Sequence, residues 1–128
     1  MELNKFDLSR LPEFTSKSHL EQLFQCSRPT IYQYHDIALN LADYEDDFPP
    51  KPNGTKNTGA GLTRYQCWVI FTLMVYTRRV SRSDVFKVFL DGCDSEFLGK
   101  FSKLSFAQNN PNYGGVVNCE YQELCSVA

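Results

Sequence analysis

The sequence predicts a mainly α domain: a helix-turn-helix, then a segment that forms either a small β-hairpin wing or a loop, then additional C-terminal helices. Three observations carry this expectation. Ser18 to Tyr34, SHLEQLFQCSRPTIYQY, reads as two short helices around a tight turn. Tyr44 to Gly61 is dense in Pro, Gly and Asn and cannot continue the helical pattern. From Leu62 to Leu104 the chain returns to capped segments with apolar faces.

Each element has a local cause. Thr15 and Ser16 offer side-chain oxygens to cap a first helix, and Leu20, Leu23 and Phe24 give it one apolar face. Gln25-Cys26-Ser27 breaks the pattern. Ser27 can cap a second helix from Arg28 to about Leu41, with Pro29 tolerated in a first turn whose N–H groups have no intrahelical partner. Ile31, Ala38 and Leu41 can face back onto the first helix, leaving Arg28, Tyr32 and Gln33 pointing outward.

Asn53-Gly54, flanked by Lys51 and Lys56, is a strong tight-turn signal. Thr63 with Gln66 fits a capping box for a helix from Leu62 to Val80 that is apolar on more than one side, as a central or shared helix is. Ser81 with Asp84 offers another capping box, for a helix from Arg82 to about Leu90 ended by Asp91-Gly92. Ser95 to Leu104 reads as a last short helix. From Ala107 onward periodicity is lost, so residues 1–106 are expected to form one domain and 107–128 a flexible tail or one strand.

Composition limits the function classes. A chain of 128 residues with ordinary apolar and charged fractions is one domain. Met1 to Leu11 does not read as a signal peptide, and the apolar run Cys67 to Thr77 falls short of the ~20 residues that span a bilayer. The expectation is a soluble, cytoplasmic protein without a membrane partner. The net charge of −2 is unevenly spread: five acids lie between Asp36 and Asp47, whereas Arg64 to Lys103 holds seven basic residues against four acids. A local basic face, rather than the sum, decides phosphate binding.

The five cysteines (Cys26, Cys67, Cys93, Cys119, Cys125) form no CxxC, and their odd number argues against a complete disulfide framework. Cys119 and Cys125 supply half of a tetrahedral zinc site at most, so neither metal nor cofactor is expected. No phosphate-cradling glycine motif is present, and His19 and His35 have no nucleophile or carboxylate at catalytic spacing. The chain does not read as an enzyme.

LEQLFQCSRPTIYQY resembles the opening helix-turn-helix of MerR-like and excisionase-like winged-helix DNA-binding proteins. The order that follows is also similar to MerR-type regulators: a Gly-rich wing, a Thr-capped helix (GLTRYQCWVIFTL) and a short helix entered through VSRSDVFKVFL. The resemblance covers roughly Thr15 to Leu104. It implies double-stranded DNA as partner and transcription regulation as role. The long dimerising helix and effector site of such regulators have no counterpart here, so no small-molecule effector is expected, and a compact repressor or architectural factor is. The usual arginine–tyrosine wing strand is missing as well, with Lys51, Lys56, Arg64 and Tyr65 able to serve similar phosphate contacts.

Site residues follow from the helix-turn-helix. Arg28 can pair with guanine, and Gln33 can read adenine or stay solvated. Ser27, Thr30 and Tyr32 carry hydroxyls suited to phosphate. Lys17 and His19, at the entrance of the first helix, can touch the backbone or be ordinary exposed residues. Arg78, Arg79 and Arg82 form the densest basic cluster, on phosphate or at a solvated helix end. The aromatic residues Tyr65, Trp68, Phe71, Tyr76, Phe86, Phe89, Phe97 and Phe101 would suit the shared core of a homodimer, with a well-filled monomer as the alternative. The competing function is a non-catalytic protein–protein interaction module on a helical scaffold, which the acidic run after the second helix favours.

Overall fold

A computed structural model of the chain describes residues 5–8, 11–110 and 116–118. It is mainly helical: α1 (Lys17–Phe24), α2 (Arg28–Ala38), α3 (Ala42–Asp46), α4 (Arg64–Tyr76), α5 (Arg82–Asp91), α6 (Ser95–Gly99) and α7 (Lys103–Asn109). A two-stranded antiparallel sheet joins β1 (Lys5–Asp7) to β2 (Val116–Asn118), with Phe6 opposite Val117. Among the described residues, no helix is long and apolar enough to cross a membrane.

Helix α4 is the axis of the core. Every residue from Tyr65 to Val75 is buried, as its all-round apolar sequence requires. Its capping box forms as expected: the Thr63 hydroxyl accepts from the Gln66 N–H, and the Thr63 N–H donates to Gln66 Oε1 at 2.8 Å. Helices α2, α3 and α7 pack around it. A backbone bridge ties the chain before α1 to the chain before α4, through Thr15 N–H to Leu62 O at 2.8 Å and Leu62 N–H to Thr15 O at 2.7 Å.

Several expected boundaries move, each for a physical reason. Helix α2 stops at Ala38 rather than about Leu41, because the N–H groups of Asn40 and Leu41 fold back in tighter turns onto Ile37 O and Ala38 O. Asn40 Nδ2 also donates to Ile37 O at 3.0 Å. Tyr44 to Asp46, expected to be non-helical, belongs to α3. Tyr44 is fully buried, its carbonyl accepts from Gln66 Nε2 at 2.8 Å, and Asp43 and Glu45 suit a helix start.

Ser95 to Leu104 splits into α6 and α7, because Ser102 caps a new start with its hydroxyl accepting from the Ser105 N–H at 3.1 Å. Helix α7 thereby runs through the expected domain boundary at residue 106. The Ser81 hydroxyl makes no cap bond and instead lies 2.9 Å from that of Ser83. Cys119 and Cys125 lie outside the described residues.

The aromatic excess is used inside one chain. Trp68, Phe71, Phe89, Phe97 and Phe101 are buried, and Phe89, Phe97 and Phe101 form edge-to-face contacts with centroids 5.3–6.1 Å apart. These rings therefore leave no surplus that demands a shared core.

Candidate nucleic-acid interface

Helices α1 and α2 are joined by Gln25, Cys26 and Ser27, and each start is capped as its sequence requires. The Ser16 hydroxyl accepts from the His19 N–H at 3.1 Å, and the Ser27 hydroxyl accepts from the Thr30 N–H at 3.4 Å. Gln25 closes α1 in the left-handed region (φ 53°), a position that usually takes glycine. Leu20, Phe24, Ile31, Ile37 and Ala38 are buried between the pair and α4, with the Phe24 and Phe71 rings 5.7 Å apart.

What this packing leaves outside is the N-terminal half of α2. Arg28, Tyr32 and Gln33 are exposed, as expected. Arg28 makes an ion pair at 3.5 Å with Glu21, whose carboxylate is half-buried and whose Oε2 is covered. Ser27 and Thr30 bond each other at 3.0 Å, so their hydroxyls are already engaged at the helix start.

Gln33 meets a residue from the other end of the domain. Arg82, at the start of α5, donates from Nη1 to Gln33 Oε1 at 2.9 Å, and its guanidinium lies 5.7 Å from the centroid of the Tyr34 ring. Tyr34 is itself fixed: its ring packs edge-on to Phe86 at 5.7 Å, and its hydroxyl is 2.6 Å from Thr77 Oγ1. Thr77 donates in turn to Met74 O at 3.0 Å. Arg78 and Arg79 follow Thr77 in the chain and are exposed. The basic cluster is legible in the sequence, but its link to α2 is not, because that link is a contact between side chains 49 residues apart.

Tyr32 borders a second segment. Lys17, expected at the surface, is 8% exposed. Its ammonium donates to Thr58 O at 3.2 Å and sits 5.6 Å from the Tyr32 ring centroid and 6.0 Å from that of Phe48. Burial lowers its pKa, and the nearby Asp36 works in the opposite direction. Lys17 is thus a tether for the loop rather than a free phosphate contact.

The loop it holds contains the expected turn. Pro50 and Lys56 pair as a single antiparallel bridge, the Lys51 N–H donates to Thr55 O at 2.6 Å, and Gly54 takes φ +89°. Asn53 Oδ1 accepts from both the N–H and the hydroxyl of Thr55. Lys51 is exposed and Lys56 half-buried on this short hairpin.

Two expected contacts lie elsewhere. Tyr65 is 4% exposed and its hydroxyl donates to Phe101 O at 2.5 Å; burial first, then Asp43 and Asp47, raises its pKa. Arg64 donates from Nη2 to Leu11 O at 3.1 Å. Both line a cleft of about 360 Å³ that also takes in Phe14, Asp47, Lys103 and Phe106. They serve the start of α4, which the N-terminal position of both residues on a buried helix explains.

Beneath the exposed half of α2 lies a buried polar contact, His35 Nδ1 to the Tyr44 hydroxyl at 2.9 Å. Burial, and then the Lys17 charge, brings the His35 pKa down to about 4, so the ring is neutral at pH 7. Among the described residues, no three His, Cys, Asp or Glu side chains gather as a metal-ligand set. Cys67 is fully buried, and burial pushes its thiol up to about 12.

No protein-family model, curated protein or solved structure matches this chain.

Proposed function

We propose that the chain is a sequence-specific DNA-binding regulator of the winged helix-turn-helix type, with α2 as the recognition helix. The observation that supports this is the setting of the exposed N-terminal half of α2. It is bordered at Gln33 by the cation of Arg82 and at Tyr32 by Lys17, whose ammonium also holds Thr58 of the loop that carries Lys51 and Lys56. Recognition helices read bases through their N-terminal residues, while flanking segments contact phosphate.

Arg28 reads a guanine edge, at the cost of a surface ion pair worth about 1 kcal/mol or less. Lys51, Lys56 and Arg78 take the phosphates on either side. Ser27 and Thr30 keep the helix start in shape. Asp36 lies one turn further on, which limits the docking half to Arg28 through Gln33. Two copies on a two-fold DNA site double this small footprint, and a compact repressor of this kind acts by occlusion. That pairing rests on symmetry of the site, since the aromatic core is complete in one chain.

The test is a titration of duplex DNA followed by fluorescence anisotropy from about 50 to 200 mM salt. Six phosphate contacts, three from each of two copies, give a slope of log affinity on log salt of about −5. A folded protein without measurable affinity at low salt overturns the proposal. A second reading, protein docking on the helical scaffold, draws on Leu90 and Leu104, which are 66% and 69% exposed on α5 and α7. It requires no DNA affinity at low salt.

A further inference from the structure

We infer that Arg82 is a positioning residue that turns Gln33 from an adenine reader into a guanine reader. This rests on the DNA-binding reading of α2.

The geometry behind it is a chain of three groups, the buried Tyr34 and the exposed Arg82 and Gln33. Tyr34 is held from both ends, by Phe86 against its ring and Thr77 at its hydroxyl. The Arg82 guanidinium lies over that ring, 5.7 Å from its centroid, beside α2. From there Nη1 donates to Gln33 Oε1 at 2.9 Å. The bond orients an amide that would otherwise be free to rotate.

The consequence follows from donor and acceptor bookkeeping. A glutamine reads adenine by accepting from the N6 amino group at Oε1 while its Nε2 donates to N7. Here one lone-pair direction of Oε1 is taken by the guanidinium, and the positive charge beside it disfavours approach of a second donor such as N6. What Gln33 keeps for a base is its Nε2 donor. A donor without a free acceptor beside it suits an edge made only of acceptors, the O6 and N7 of guanine.

An effect of this kind is separable from simple charge loss. Removing a phosphate contact lowers affinity for all sequences alike and flattens the salt dependence. Removing a positioning contact changes base preference at one position and leaves the others alone.

The experiment is selection of duplexes from a randomised library with the full chain, followed by affinities on single-base variants of the recovered site. Gln33→Ala identifies the position that Gln33 reads. Arg82→Met retains an apolar stem over Tyr34 and removes every donor. The wild type is expected to prefer guanine over adenine there by about tenfold, and Arg82→Met to lose or reverse that preference. The preference at the Arg28 position should be unchanged.

A wild-type preference for adenine overturns the inference alone, as does a preference that Arg82→Met leaves intact. So does a Gln33→Ala variant that alters no single position, provided that the wild type still selects a sequence. If the folded wild type selects no sequence at all, the DNA-binding reading falls and takes the inference with it.

Discussion

The ammonium of Lys17 lies 3.2 Å from the carbonyl oxygen of Thr58, which fastens the first residue of α1 to the loop after the Pro50–Lys56 hairpin. The same ammonium sits under the ring of Tyr32 on α2. One buried cation therefore sets where the hairpin lies relative to the exposed helix face. Lys17→Met keeps much of the stem and leaves Thr58 O without its donor. The expected cost is about 1–2 kcal/mol in urea denaturation, with faster amide exchange confined to residues 50–58.

His35 makes stability depend on pH. Its pKa in the folded chain, about 4, lies below the ordinary 6.5, so the unfolded chain takes up the proton first. Stability from this source is complete above about pH 6.5 and falls as the pH drops towards 4. The loss should be on the order of 2 kcal/mol by pH 5 and 3 kcal/mol by pH 4, read as a falling urea midpoint. His35→Gln should remove that part of the slope, and a wild-type midpoint constant from pH 7 to pH 5 would contradict it.

Gln25 occupies a left-handed position at the end of α1 with φ 53°. Glycine adopts that conformation without the steric penalty a side chain carries. Gln25→Gly is expected to stabilise the domain by about 0.5–1 kcal/mol in thermal or urea unfolding, against the usual direction for a glycine substitution.

Thr63 does two jobs at the start of α4: it completes the capping box with Gln66 and donates its hydroxyl to Asp47 Oδ2. Thr63→Ala should cost about 1–2 kcal/mol, whereas Thr63→Ser, which keeps the oxygen, should stay within about 0.5 kcal/mol of wild type. Equal losses in both variants would mean that the methyl group matters and the cap does not.

How far the sequence goes is clearest at individual residues. Ser16, Ser27 and Thr63 cap as expected because capping is decided within four residues, and the Asn53-Gly54 turn forms for the same reason. The buried axis α4 was visible in its all-round apolar pattern. The burial of Lys17 is not legible locally, because Thr58 and Phe48 close over it, whereas Tyr65 is buried as its place on the apolar face of α4 implies, with Phe101 O accepting its hydroxyl. Arg82 was noticed only as a charge, since its bond to Gln33 joins α5 to α2 across the fold. The pairing of β1 with β2 joins opposite ends of the chain, which no local pattern encodes.

The most direct test of α2 as a base-reading helix compares the full chain with Arg28→Ala on the duplex recovered by selection. Arg28 is exposed and pairs at 3.5 Å with the half-buried Glu21, so the variant should stay folded and lose no more than about 1 kcal/mol in urea unfolding. Affinity for the recovered duplex should fall about tenfold, with discrimination lost at one base pair and kept at the others. Equal affinity and unchanged base preference in a folded Arg28→Ala protein would contradict the assignment of α2 as the recognition helix.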